Sequence, residues 1–201
     1  MPDNQVYFAI LDVPDGADRH QFGRQVLQQM IASLDKGLGE PFCIATEASG
    51  RPIVVAPDGT PSGIFVSLSH SGAKLACAVS GLGPIGVDIE ISREHRDYLG
   101  LAEAAFGPRE HMQCIEQGAP AFYRIWTLRE AMAKALGTGL TMVGDRVDRM
   151  ADGPDEGHWQ WQDWHLSHHR ITPQLSCAFA LLPHVPISGQ VVWLAFKPSG
   201  V

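Results

Sequence analysis

The sequence predicts an α+β fold, because its strand-like and helix-like segments come in blocks instead of alternating one for one. Strand-like runs joined by Gly-, Pro- and Asp-containing turns lie before residue 92 and again after residue 145, with helical spacing between them. The 201 residues, 45% of them hydrophobic and 18% charged, supply enough apolar material for a core.

In chain order, Val6 to Leu11 reads as a first strand, and Asp18 as the N-cap of a helix from Arg19 to Lys36. Phe22, Val26, Leu27, Met30, Ile31 and Leu34 form that helix's apolar stripe, and Gly37 is its stop. Strands are expected at Phe42 to Thr46, Pro52 to Val55, Ile64 to Ser69, Lys74 to Ser80 and Ile85 to Ile91. The last three have tight connections and are expected to form one antiparallel sheet. Helices are expected at Leu101 to Phe106, at Pro108 to Gln117, and from Pro120 to a left-handed stop at Gly137. Strands resume at Arg146 to Met150, His158 to Leu166, Leu175 to Leu182 and Val191 to Phe196. The turn Gly81-Leu82-Gly83-Pro84 is the best place for a boundary, dividing the chain into halves 1–83 and 84–201.

Fifteen Lys and Arg against 22 Asp and Glu give a net charge of -7, which argues against general nucleic-acid or anionic-membrane binding. Any anionic ligand then needs a local cluster of cations. No basic segment precedes an apolar run near the N-terminus, and no stretch approaches a span of about 20 apolar residues, so a cytoplasmic protein is expected. Cys43, Cys77, Cys114 and Cys177 are scattered and read as reduced, mostly buried small hydrophobes.

The helix opening at Pro120 is the most informative stretch. Phe122, Ile125, Leu128, Met132, Ala135 and Leu136 fall on one arc, with Glu130 and Lys134 opposite. Arg129 lies inside the apolar arc, where a guanidinium needs an anionic partner or a route to water. In Gly86-Val87-Asp88-Ile89-Glu90-Ile91, the strand period puts Asp88 and Glu90 on one face, where two carboxylates can converge on a hard cation. An ordinary strand with a solvated acidic face has the same pattern. Ser67-Leu68-Ser69-His70-Ser71 can bind phosphate or orient a base, and Gly50-Arg51-Pro52 offers a cation on a rigid turn. His158, His165, His168 and His169 lack a second ligand cluster, so a zinc site is rejected. The sequence contains no nucleophile elbow or P-loop.

Taken in order, Gly50-Arg51-Pro52, Ser67-Leu68-Ser69-His70-Ser71, Gly86-Val87-Asp88-Ile89-Glu90, Phe106-x3-Glu110 and Trp126-Thr127-Leu128-Arg129-Glu130-Ala131-Met132-Ala133-Lys134 resemble the 4'-phosphopantetheinyl transferases of the surfactin-synthetase-activating type. The resemblance implies a pseudo-dimer of two similar α+β halves with coenzyme A between them. It also implies magnesium-dependent transfer of the phosphopantetheine arm of coenzyme A to a serine of an acyl or peptidyl carrier protein, releasing adenosine 3',5'-bisphosphate. It makes Asp88, Glu90 and Glu130 the metal ligands, and puts Arg129 and Lys134 near the diphosphate as catalytic cations. Ser69 and His70 would contact the ribose 3'-phosphate, with Arg51 at the same end. Where the family has an arginine in the first helix this chain has Gln28 and Gln29, and Arg24 is the substitute.

The carrier is expected to dock beside Leu101, Phe106, Met112 and Ile115, with Arg93, Arg96 and Arg109 as local cations. A two-half pseudo-dimer is expected to be a monomer. The rival functions are a weakened family member that binds coenzyme A or a carrier without efficient transfer, and a diphosphate hydrolase using the same carboxylates.

Overall fold

The computed structural model describes residues 4–34, 42–47, 50–139, 144–185, 187 and 191–198. The elements run β1 (Gln5–Asp12), α1 (Arg19–Leu34), β2 (Cys43–Thr46), β3 (Pro52–Val55), β4 (Phe65–Ser71), β5 (Lys74–Ser80) and β6 (Ile85–Ile91). Helices α2 (Tyr98–Ala105), α3 (Pro108–Gln117) and α4 (Ala119–Leu136) follow, then β7 (Gly157–Trp161), β8 (Trp164–Thr172), β9 (Leu175–Leu181) and β10 (Val192–Ala195). The expected α+β class is the observed one.

Two four-stranded sheets, β10-β1-β5-β4 and β6-β9-β8-β7, lie face to face, and β2-β3 form a separate hairpin. Strand periodicity explains the layering. In β1, Val6, Phe8 and Ile10 face the second sheet, while Tyr7, Ala9 and Leu11 face α1. Likewise Leu175, Cys177, Phe179 and Leu181 of β9 face the first sheet, and Ala178 and Ala180 face α2–α4. The layers are therefore α1, first sheet, second sheet and the remaining helices. In each half a strand, a helix and an antiparallel pair recur, with the first strand beside the last: β1-β5-β4 and β6-β9-β8.

Several expectations are corrected. β6 does not continue the β4-β5 pair; it pairs with β9 and founds the second sheet. Residues 146–150 form no strand, because their backbone is taken up by Glu110 and Arg129: Arg149 N and Met150 N donate to Glu110 Oε1, and Val147 O accepts from Arg129. The run from His158 to Leu166 is a hairpin, turned at Gln162 with φ of 54°. β10 returns to pair in parallel with β1, so the C-terminal strand crosses the expected division at residue 83. Lys36 and Gly37, expected at the end of the first helix, lie outside the described residues.

Helix α4 starts and stops as its sequence dictates. Pro120 sits in the first turn, and Gly137 adopts the left-handed conformation, its N–H closing on Ala133 O and Lys134 O. The helix is buried on most of its circumference because β6 and β9 on one side and α2 and α3 on the other cover it. Leu136 departs from the apolar arc and is 39% exposed. Among the described residues no helix is long and apolar enough to cross a membrane.

Candidate active site

The site forms where β4, β6 and α4 meet. Gly86 makes the approach of β6 to α4 possible, since a Cβ there would lie 1.8 Å from Ala131 O. With the backbones this close, alternation along β6 turns Asp88 and Glu90 toward the α4 face that carries Glu130 and Lys134.

β4 and β6 sit at the edges of different sheets, and serine side chains join them. Val87 N donates to Ser67 Oγ at 3.0 Å, Ile89 N to Ser69 Oγ at 3.4 Å and Ile91 N to Ser71 Oγ at 3.0 Å. The hydroxyls of Ser69 and Ser71 then donate to Asp88 Oδ1 at 2.8 Å and Glu90 Oε2 at 3.1 Å. Lys134 Nζ donates to both Ser69 Oγ at 2.8 Å and Asp88 Oδ1 at 2.7 Å. Asp88 Oδ2 is buried and has no hydrogen-bond partner among the described residues.

The acidic cluster is electrostatically strained. Burial, then the charge of Asp88, push the Glu90 carboxyl above its ordinary value, against the opposing pull of Arg96 and Ser71. Glu130 is pushed up for the same two reasons and by Glu90, with Lys134 opposing. Arg96 lies 3.7 Å from Glu90 Oε1, and its guanidinium is seated over the rings of Trp126, Phe122 and Tyr123 at 5.2 to 5.6 Å. Among the described residues no three His, Cys, Asp or Glu side chains are gathered closely enough to hold a metal ion as they stand.

Arg129 is not brought to this cluster. It is fully buried on the other side of α4, with Nη2 2.5 Å from Glu110 Oε2 and Nη1 3.2 Å from Asp145 Oδ1, and it packs over the Phe106 ring. The anion that its position in the apolar arc required is protein carboxylate, not diphosphate. Glu110, noticed in the sequence only by its spacing from Phe106, is the centre of this network.

The expected pairing of Ser69 with His70 is split by strand alternation: Ser69 faces β6, and His70 faces α1, where its ring meets His20 edge-on at 5.3 Å. Burial lowers the His70 pKa, and the charges of Arg19, His20 and Lys134 lower it further. Arg19 and His20, not singled out from sequence, thus belong to the cationic corner. Their signal was their position at the start of a helix whose later face lacks arginine. Arg24 is turned instead to Thr46. Arg51 reaches Gly137 at the end of α4, where a Cβ would lie 3.1 Å from its Nη1. A cleft of about 280 Å³ runs between Arg51, Leu68, Glu130, Ala133 and Lys134, and a pocket of about 600 Å³ shares Arg51, Pro52 and Val66 in its wall.

Of the expected docking residues, Leu101, Met112 and Ile115 are exposed, but Phe106 is 1% exposed and belongs to the core under α4. Arg109 is paired with Asp152, and Arg93 is exposed. The histidines rejected as zinc ligands have other roles: His168 is buried with Nδ1 donating to Asp155 O at 2.6 Å, and Ser167 Oγ lies 2.7 Å from His169 Nε2. Cys77, Cys114 and Cys177 are buried free thiols, while Cys43 is exposed.

Comparison with known proteins adds an independent line. Residues 84–180, which contain β6, α2–α4 and the three carboxylates, match the family model described as the 4'-phosphopantetheinyl transferase superfamily. The chain is 34% identical over 147 residues to the 4'-phosphopantetheinyl transferase HetI of Nostoc sp., covering 70% of this chain and 58% of that protein. It is 34% identical over 134 residues to the 4'-phosphopantetheinyl transferase AcpT of Salmonella typhi, covering 64% of each. It is 31% identical over 114 residues to the 4'-phosphopantetheinyl transferase of Bacillus subtilis, covering 54% of this chain and 46% of that protein. The chain thus spans 58% and 64% of the first two of these relatives.

Proposed function

We propose that the chain is a member of the 4'-phosphopantetheinyl transferase superfamily and that it transfers the 4'-phosphopantetheine arm of coenzyme A to a serine of an acyl or peptidyl carrier protein, releasing adenosine 3',5'-bisphosphate. The observation that carries the reading is that Asp88, Glu90 and Glu130 lie near enough for charge on one to act on another, with Lys134 bonded to Asp88, beside a cleft rimmed by Arg51.

The donor set suits magnesium. Carboxylate oxygens are hard ligands, Asp88 Oδ2 is buried and unpartnered among the described residues, and the repulsion that adds to burial in raising Glu90 and Glu130 is relieved by a divalent cation. Asp88, Glu90 and Glu130 would hold the ion, which when bound would neutralise diphosphate oxygens.

The remaining work falls to the chain's own groups. Lys134, 31% exposed at the cleft, is a cation for the diphosphate, and Arg51 with the corner of Arg19, His20 and His70 is the counterpart for the 3'-phosphate end of coenzyme A. An in-line attack needs the carrier serine deprotonated and held against the phosphorus. Glu90 is already engaged by Ser71 and Arg96, whereas Glu130 accepts no hydrogen bond from the described residues, so Glu130 is the base. Arg129 acts at a distance, by fixing α4. We read the chain as a cytoplasmic monomer and its halves, 1–83 and 84–201 with β10 returning to the first, as a pseudo-dimer; the repeated strand, helix and antiparallel pair supports this.

Mass spectrometry of apo carrier proteins incubated with the chain, coenzyme A and Mg2+ tests the reading. The expected result is gain of the phosphopantetheine mass on the carrier serine. No gain on apo carriers from fatty acid, polyketide and peptide synthesis overturns it, and release of phosphopantetheine without a carrier would assign a diphosphate hydrolase.

A further inference from the structure

The serines of β4 have a role that neither phosphate binding nor plain packing describes. Ser67, Ser69 and Ser71 meet the N–H groups of Val87, Ile89 and Ile91 at a constant separation of 20 residues, so the two strands run in the same direction in a fixed register. Each hydroxyl accepts from β6, which leaves its proton to donate. Ser69 spends that proton on Asp88 and Ser71 on Glu90. Ser67 faces Gly86, which has no side chain to receive one.

We propose that Ser69 and Ser71 are positioning residues that orient the carboxylates of Asp88 and Glu90 for a divalent cation. The inference rests on the reading of Asp88, Glu90 and Glu130 as the metal carboxylates. Ser69 and Lys134 together occupy Oδ1 of Asp88, which leaves Oδ2 as the oxygen without a partner among the described residues. Ser71 holds Glu90 by Oε2 while Arg96 stands at Oε1. Partners of this kind fix the rotamer of a ligating group before the ion arrives. The serines come from one sheet and the carboxylates from the other, so the geometry of the site depends on how the two halves meet. A slip of one residue between β4 and β6 would point every serine away from its carboxylate.

Ser67 supplies the control, because it makes the backbone contact without the carboxylate contact. Mn2+ titration followed by paramagnetic resonance, paired with urea unfolding, is run on the parent chain and on Ser67→Ala, Ser69→Ala, Ser71→Ala and Asp88→Asn. The three serine variants should lose stability to a similar extent. Only Ser69→Ala and Ser71→Ala should weaken Mn2+ binding, by about 10- to 100-fold, with Ser67→Ala near the parent value. Equal weakening in all three, or in none while Asp88→Asn loses the ion, overturns the inference and leaves the metal reading intact. Parent-like Mn2+ affinity in Asp88→Asn overturns the metal reading and the inference together.

Discussion

Helix α4 carries buried charge on two sides, and the sides differ in how completely that charge is partnered. Arg129 is enclosed by Glu110 and Asp145, Asp145 also holds Arg149, and Glu110 takes backbone N–H groups on its other oxygen. One residue further along, Glu130 faces Asp88 and Glu90 with Lys134 and Arg96 as the nearby cations, and negative charge is in excess. A closed network holds the scaffold, since each member would be costly alone. An open cluster whose acids are pushed above their ordinary values, by burial and then by one another's charge, stores repulsion that a bound cation relieves. A rotation of about 100° along the helix separates the two.

The largest expected effect breaks the closed side. Arg129→Met strands the Glu110 carboxylate in the core and should lower stability by about 3–5 kcal/mol in urea unfolding. Replacing Glu110 by Gln in the same chain should recover part of the loss, because the stranded charge is then gone. An Arg129→Met chain as stable as its parent but unable to bind coenzyme A would place the guanidinium at the diphosphate and dissolve the contrast.

On the open side the same test reads out in rate. Glu130→Gln removes a carboxylate of the site and should lower kcat by roughly 10²- to 10³-fold. Stability should hold or rise slightly, because one of three repelling charges has been neutralised. A drop in stability comparable to that of Arg129→Met would mean that Glu130 is part of the scaffold after all.

The parts of this arrangement that depend on near neighbours in the chain were legible in the sequence. Pro120 and Gly137 bound α4, strand alternation put Asp88 beside Glu90, and the helical wheel flagged Arg129 as needing an anion. The partner itself was not legible, because Glu110 lies 19 residues earlier on another helix and nothing local connects them. The serine ladder was hidden for a similar reason: alternation in Ser67-Leu68-Ser69-His70-Ser71 and in Gly86-Val87-Asp88-Ile89-Glu90 was visible, but not the register that sets one against the other. Alternation did hold the clue that Ser69 and His70 must face opposite ways. Residues 146–150 misled because long-range contacts to Glu110 and Arg129 override their strand-like composition.

The smallest expected effect sharpens the contrast through its sign. Arg124, also on α4, donates to Met150 O and Gln113 Oε1, and its charge together with burial holds His168 down to about 4. Burial is the larger cause. An unfolded histidine takes up its proton near pH 6.5, while His168 in the folded chain stays neutral until about 4, so this contribution to stability is present above 6.5 and lost as pH falls. Between pH 7 and pH 5 the loss should be about 2 kcal/mol in urea unfolding. His168→Asn keeps a donor for Asp155 O without the titration, and should flatten that limb. The open side should respond oppositely: Glu90 and Glu130 have folded pKa values above their unfolded ones, so acidification relieves their repulsion and favours the folded chain. Glu130→Gln should therefore steepen the net acid loss that His168→Asn flattens. If both variants moved the limb the same way, the two sides of α4 would not differ as their partners indicate.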